Sequence, residues 1–192
     1  MIPHVCAIIT HSWIMNFRLD RTIFIDMAIN LSVSVILFLI TYVWIAQPHQ
    51  VSGASMEPTL FNNDYVVTEK LHLYAGLINR GDVVVFKSPL QDSIHLIKRI
   101  IAIPGDTIMI IDGSVIINDT VLEETYIIGA TYAGEYLEEG EEITVSEGEY
   151  ILLGDNRIRS NDSRSWGPVS RASIVGVVAA IYWPISRFSI SL

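Results

Sequence analysis

The chain has 192 residues, 51% of them hydrophobic and only 17% charged, and its mean hydropathy is +0.42. That composition argues against a disordered, coiled-coil or wholly soluble protein and implies that some segment meets lipid. Twelve Lys and Arg against 21 Asp and Glu leave a net charge of -9, which argues against nucleic acid as the main partner, because phosphate binding needs a basic surface.

In chain order, residues 1–22 read as a cytoplasmic N-terminal segment. It holds the only cysteine, Cys6, so neither an intramolecular disulfide nor a cysteine metal site is expected. Met15 is an alternative start. From Met27 to Ala46 there are 20 residues without a charge, enough to reach roughly 30 Å as a helix. The predicted transmembrane helix covers 23–46. It is apolar all round except at Asn30, Ser32, Ser34 and Thr41, unlike an amphipathic core helix. Ile45-Ala46 makes a poor signal-peptide cleavage site, so the segment reads as an uncleaved anchor. Arg18 and Arg21 precede it, and the next basic residue is Lys70. This asymmetry predicts a single pass through the cell membrane with the N-terminus in the cytoplasm. Tyr42 and Trp44 suit an outer aromatic belt.

Residues 47–192 then form the predicted extracytoplasmic domain, mainly β. Short Val- and Ile-rich runs separated by turn formers predict strands at 65–69, 82–87, 94–103, 107–111, 114–117, 149–153 and 174–182. Asp112-Gly113 between two of them is a hairpin signal. Between Glu123 and Glu149 lie nine acidic residues and no basic one. This run predicts an exposed acidic extension over 119–148, a solvated face without the carboxylate spacing of a calcium loop. The five histidines, His4, His11, His49, His72 and His95, lack the pair spacing of a helical metal site. Neither a metal nor a cofactor is expected.

Three runs carry chemistry. Ser52-Gly-Ala-Ser55-Met-Glu-Pro-Thr-Leu60 is a small-residue turn that presents Ser55 and is stiffened by Pro58; alone it is weak evidence, since a serine beside glycine is more often a turn or cap than a nucleophile. In His95-Leu-Ile-Lys98-Arg99, strand alternation puts Lys98 on one face with Leu96, Ile100 and Ala102. It could be a snorkelling edge lysine or a general base, since burial disfavours the ammonium. At the ordinary lysine value only about one amine in 2,500 is neutral at pH 7, a cost of roughly 4.6 kcal/mol, and desolvation by aliphatic neighbours is of that size. The third run, Gly154 to Pro168, holds turn formers and paired charges. Asp162 bonded to a nearby arginine would explain them, and a hydroxyl there could hold a lysine amine.

These runs, in this order after a membrane anchor, resemble the bacterial type I signal peptidases. The resemblance takes in Arg80-Gly-Asp-Val-Val-Val-Phe86, Pro104-Gly-Asp106, Trp183-Pro184 and Arg187-Phe188 as well. It implies a membrane-bound serine endopeptidase with the β fold shared by signal peptidases and LexA, which removes signal peptides from exported preproteins. Ser55 would be the nucleophile and Lys98 the general base. Ser160 would orient the amine, and Asp162 and Arg164 would brace that loop. Met56, Leu60, Leu96 and Ile97 would line small apolar substrate pockets. The implied partners are preprotein signal peptides and membrane lipid, with the secretion machinery as a further candidate. One position departs: some family members carry a serine two residues before the nucleophile as a second oxyanion donor, and Gly53 stands there instead. The rival readings are a LexA-like self-cleaving Ser-Lys regulator and a membrane-anchored, non-catalytic β binding module.

Overall fold

The structure, a computed structural model, describes residues 21–91 and 93–190. His4, Cys6, His11, Met15 and Arg18 lie outside the described residues. The chain divides into two compact units between Leu39 and Ile40.

In the first unit, helix α1 (Arg21–Ile40) has no buried residue and is long and apolar enough to cross a membrane. Its serines are no obstacle to an apolar setting. Ser32 Oγ donates to the Ala28 carbonyl and Ser34 Oγ to the Asn30 carbonyl, both at 2.8 Å, so each hydroxyl is satisfied within the helix. In the second unit, residues Thr41–Ile45 form a π-helical turn.

The second unit is mainly β, as expected. Among the described residues its strands are β1 (Ala46–Gln50), β2 (Tyr65–Glu69), β3 (Val83–Lys87), β4 (His95–Ala102), β5 (Thr107–Ile111) and β6 (Ser114–Ile117). They are followed by β7 (Thr120–Val121), β8 (Ile143–Thr144), β9 (Glu149–Leu153), β10 (Val169–Ser170) and β11 (Ile174–Trp183). Two short helices, α2 (Leu71–Ala75) and α3 (Ser163–Trp166), interrupt them. A seven-stranded sheet runs β1-β2-β11-β3-β4-β9-β10, and a four-stranded sheet runs β7-β6-β5-β8.

All seven runs read as strands in the sequence are strands, within a residue at either end. Strand β1 was not anticipated, because Ala-Gln-Pro-His-Gln has neither alternation nor β-branched residues. Its place at the sheet edge reconciles Pro48 with strand geometry, since an edge position does not need the missing N–H. At Asp112-Gly113 both φ angles are positive, +50° and +78°. This is the backbone of a type I′ turn, and it joins β5 to β6 with Ile111 opposite Ser114.

The acidic segment corrects one expectation. Glu123, Glu135, Glu138, Glu139, Glu141, Glu142 and Glu147 are exposed, as a solvated face requires, but the segment as a whole is not a free extension. Leu137 and Val145 join the core between the two sheets. The Glu124 side chain is buried against that of Arg157 in an ion pair. The Tyr136 and Leu137 N–H groups both donate to the Arg164 carbonyl. Net acidity along a run does not reveal the one carboxylate that a distant arginine draws inside.

Candidate active site

Ser55 lies in the turn after β1, above a core formed by Val51, Met56, Leu60, Val66, Val83 and Val85 among others. The turn is fixed at both ends. The Val51 N–H donates to the Asp64 carbonyl and the Leu60 N–H to the Met56 carbonyl, both at 2.8 Å. Lys98 is on β4 opposite Val84 of β3, and only 3% of its surface is exposed. These two elements meet so that Lys98 Nζ lies 2.7 Å from Ser55 Oγ and donates to the Ile97 carbonyl at 3.2 Å. Burial pushes the Lys98 ammonium down to about 8; the Asp162 and Asp155 charges pull the other way, and Arg164 pushes down with burial.

The loop after β9 closes the site from behind. Asp162 and Arg164 form the expected pair, with Arg164 Nε 2.7 Å from one carboxylate oxygen and Nη2 2.9 Å from the other. The same guanidinium donates to the carbonyls of Arg157, Ser160 and Tyr132, so it gathers the loop around one charge. Asp162 also accepts from the Gly154 N–H at 3.1 Å. The Asn156 N–H donates to the Ser55 carbonyl at 3.1 Å and ties this loop to the Ser55 turn. Gly154 makes that approach feasible, because a Cβ there would come within 2.5 Å of Ser160 Oγ and the Ser55 carbonyl oxygen. Ser160 Oγ itself is buried beside these groups and has no hydrogen-bond partner. Lys98 makes its polar contacts with Ser55 and Ile97 instead.

A cleft of about 90 Å³ opens beside Ser55. One wall is the end of β1 and the following turn, with Gln50, Ser52 and Met56; the other is the start of β4, His95 to Lys98. Met56, Leu96 and Ile97 therefore lie where a substrate pocket was expected. Leu60 does not. It is fully buried in the core under the turn, so its place is to support Met56 rather than to line the cleft. Gly53 has φ of +96°, a region that any side chain strains. Its N–H is held by Asn62 Oδ1 at 2.9 Å. A turn of this shape strains any side chain at that position.

Sequence reasoning missed the charges packed around the pair. Arg99, the neighbour of Lys98, makes a bidentate bond to Asp155 at 2.9 and 2.7 Å, donates to the Gly81 carbonyl and stacks 4.1 Å above the Tyr126 ring. The Tyr126 hydroxyl donates to Glu124 at 2.9 Å. Burial, followed by the Glu124 charge, raises the phenol's pKa, so the hydroxyl stays a neutral donor. Glu124 in turn pairs with Arg157. No local pattern marks Glu124 or Tyr126, because the arginines they meet, Arg157 and Arg99, lie far along the chain.

The family model described as "Signal peptidase, peptidase S26" matches residues 24–183. Signal peptidase I of Bacillus licheniformis is 30% identical over 165 residues, which are 81% of this chain and 86% of that protein. A probable thylakoidal processing peptidase 2 of Arabidopsis thaliana is 36% identical over 152 residues, 76% of this chain; the alignment spans only 40% of the plant protein. Among solved structures, a signal peptidase I from Enterococcus faecalis V583 is 33% identical, with 52% of this chain and 95% of that one covered at a TM-score of 0.43.

Proposed function

The chain belongs to the signal peptidase family S26, and on that premise we propose that it is a membrane-anchored serine endopeptidase that removes signal peptides from exported preproteins, with Ser55 as nucleophile and Lys98 as general base. The observation that carries the residue assignment is the 2.7 Å separation of Lys98 Nζ and Ser55 Oγ inside a buried setting. A neutral amine there accepts the Ser55 proton as Oγ attacks the scissile carbonyl, and the resulting ammonium protonates the leaving amine. Ser160 orients the amine towards Ser55 Oγ; its buried, unpartnered hydroxyl supports that role. Asp162 and Arg164 brace the loop. The Ser55 backbone N–H is one oxyanion donor, and Gly53 contributes no hydroxyl.

The substrate lies extended along the start of β4, so its first and third residues before the cut face Met56, Leu96 and Ile97. A cleft of about 90 Å³ has room for about three waters, which favours small side chains. Helix α1 anchors the enzyme in the membrane. The basic residues before it and their absence up to Lys70 support a cytoplasmic N-terminus and a catalytic domain on the outer face of the cell membrane, in contact with lipid and within reach of the secretion machinery.

Incubation of the full chain in detergent with a preprotein, followed by sequencing of the new N-terminus, tests the activity. A single cut after a small residue is expected; an intact preprotein would refute it. Rate against pH tests the base separately. The neutral amine is the active form, so single-turnover rates should rise tenfold per unit below pH 8 and level off above it. A limb near 10 instead would show Lys98 to be solvated and not the base.

A further inference from the structure

His49 and His95 are distant in sequence and on strands that are not neighbours in the sheet, yet the fold brings their rings together at the mouth of the cleft. Their centroids are 6.1 Å apart, with planes at 79°. His95 is exposed and, with Gln50 and Leu96, lines the cleft. His49 Nε2 is buried and has no hydrogen-bond partner, an unusual state for a ring nitrogen that a neighbour or water would normally satisfy.

We propose that His49 and His95 form a two-imidazole site for a divalent transition-metal ion of the zinc class, and that an ion held there obstructs entry of substrate into the cleft. Two imidazoles on one tetrahedral ion, with metal–nitrogen distances of 2.0–2.1 Å, place their ring centroids about 5 Å apart. Side-chain rotation that closes the present separation by about 1 Å completes the pair. Water fills the remaining positions, since among the described residues no third His, Cys, Asp or Glu joins the pair. Imidazole binds metal in its neutral form. His49 Nε2 has no hydrogen bond to lose on binding a metal, and the Lys70 charge lies near enough to act on this ring. The Lys70 charge also opposes a cation, which makes its removal informative.

The obstruction rests on the cleft being the substrate site; the metal site does not, and the two are tested apart. Cu²⁺ is the probe for the site, bound to the full chain in detergent with His4 and His11 replaced by Gln. Its electron paramagnetic resonance spectrum should show coupling to two imidazole nitrogens, reduced in H49Q and in H95Q and retained in H72Q. In K70Q the copper affinity should rise severalfold. Zn²⁺ should inhibit preprotein cleavage reversibly by chelator, with the inhibitory concentration raised at least tenfold in H49Q. An unchanged copper spectrum in H49Q and H95Q would overturn the site, and zinc inhibition unshifted in H49Q would overturn the obstruction. A protein that cleaves no preprotein refutes the functional reading while the copper spectrum still decides the site.

Discussion

Ser55→Ala and Lys98→Ala should each lower preprotein cleavage by a factor on the order of 10⁴ to 10⁶, and the double variant should be no worse than either single one. Two groups that share one proton transfer act as a unit, so removing the second after the first costs little. Single-turnover cleavage in detergent measures this; losses that multiply in the double variant, or substantial activity in either folded single one, would overturn the pairing. Stability separates catalysis from folding. A lysine whose pKa falls to about 8 when folded binds fewer protons than the unfolded chain between pH 8 and its ordinary value, so its cost shrinks as pH rises through that window. Below pH 8 the cost is fully present, at roughly 3 kcal/mol. Lys98→Met, which keeps the aliphatic stem, should therefore be inactive yet have a higher Tm at pH 7 than the parent protein, and the difference should narrow towards pH 10.

Arg99→Met should be the most destabilising single change in the site, by about 3–5 kcal/mol, because it strands the fully buried Asp155 carboxylate. Such a loss is a large share of the total stability of an ordinary domain. The remaining hydrogen bond from Thr59 to Asp155 cannot replace a bidentate guanidinium. Arg99→Met with Asp155→Leu removes both charges and should recover much of the loss, since a buried pair replaced by apolar groups is often close to neutral. Urea unfolding of the full chain in detergent gives both values. A loss below about 1 kcal/mol for Arg99→Met would mean that water reaches Asp155 and that the pair is not closed.

Much of this site could be read before the fold was known. Lys98 stood out because an ionised residue occurred where strand alternation demanded an apolar one, and the structure buries it. Asp162 and Arg164 are two residues apart, so their pairing was within local reach. Leu60 was misplaced because an apolar residue near a nucleophile can either line a pocket or support one. Only the path of the turn, closed by the Leu60 N–H bond to Met56, sends it into the core. Glu124 was hidden among exposed glutamates, since its burial depends on Arg157, which no pattern links to it.

By itself, then, the sequence determined the features that depend on a few adjacent residues: an apolar helix long enough for a bilayer, seven of the strands in the two sheets, the type I′ turn at Asp112-Gly113, and the serine and lysine proposed to carry the chemistry. Side-chain period and backbone preference act over that range, so they are legible in a linear string. Only the tertiary structure decided which charges lie inside, that Gly53 sits in a backbone region unsuited to serine, and that His49 meets His95 across the cleft. Those outcomes depend on which strands become neighbours in space. Burial, which sets the cost of each charge and the pKa of Lys98, is a property of the packed chain rather than of any segment.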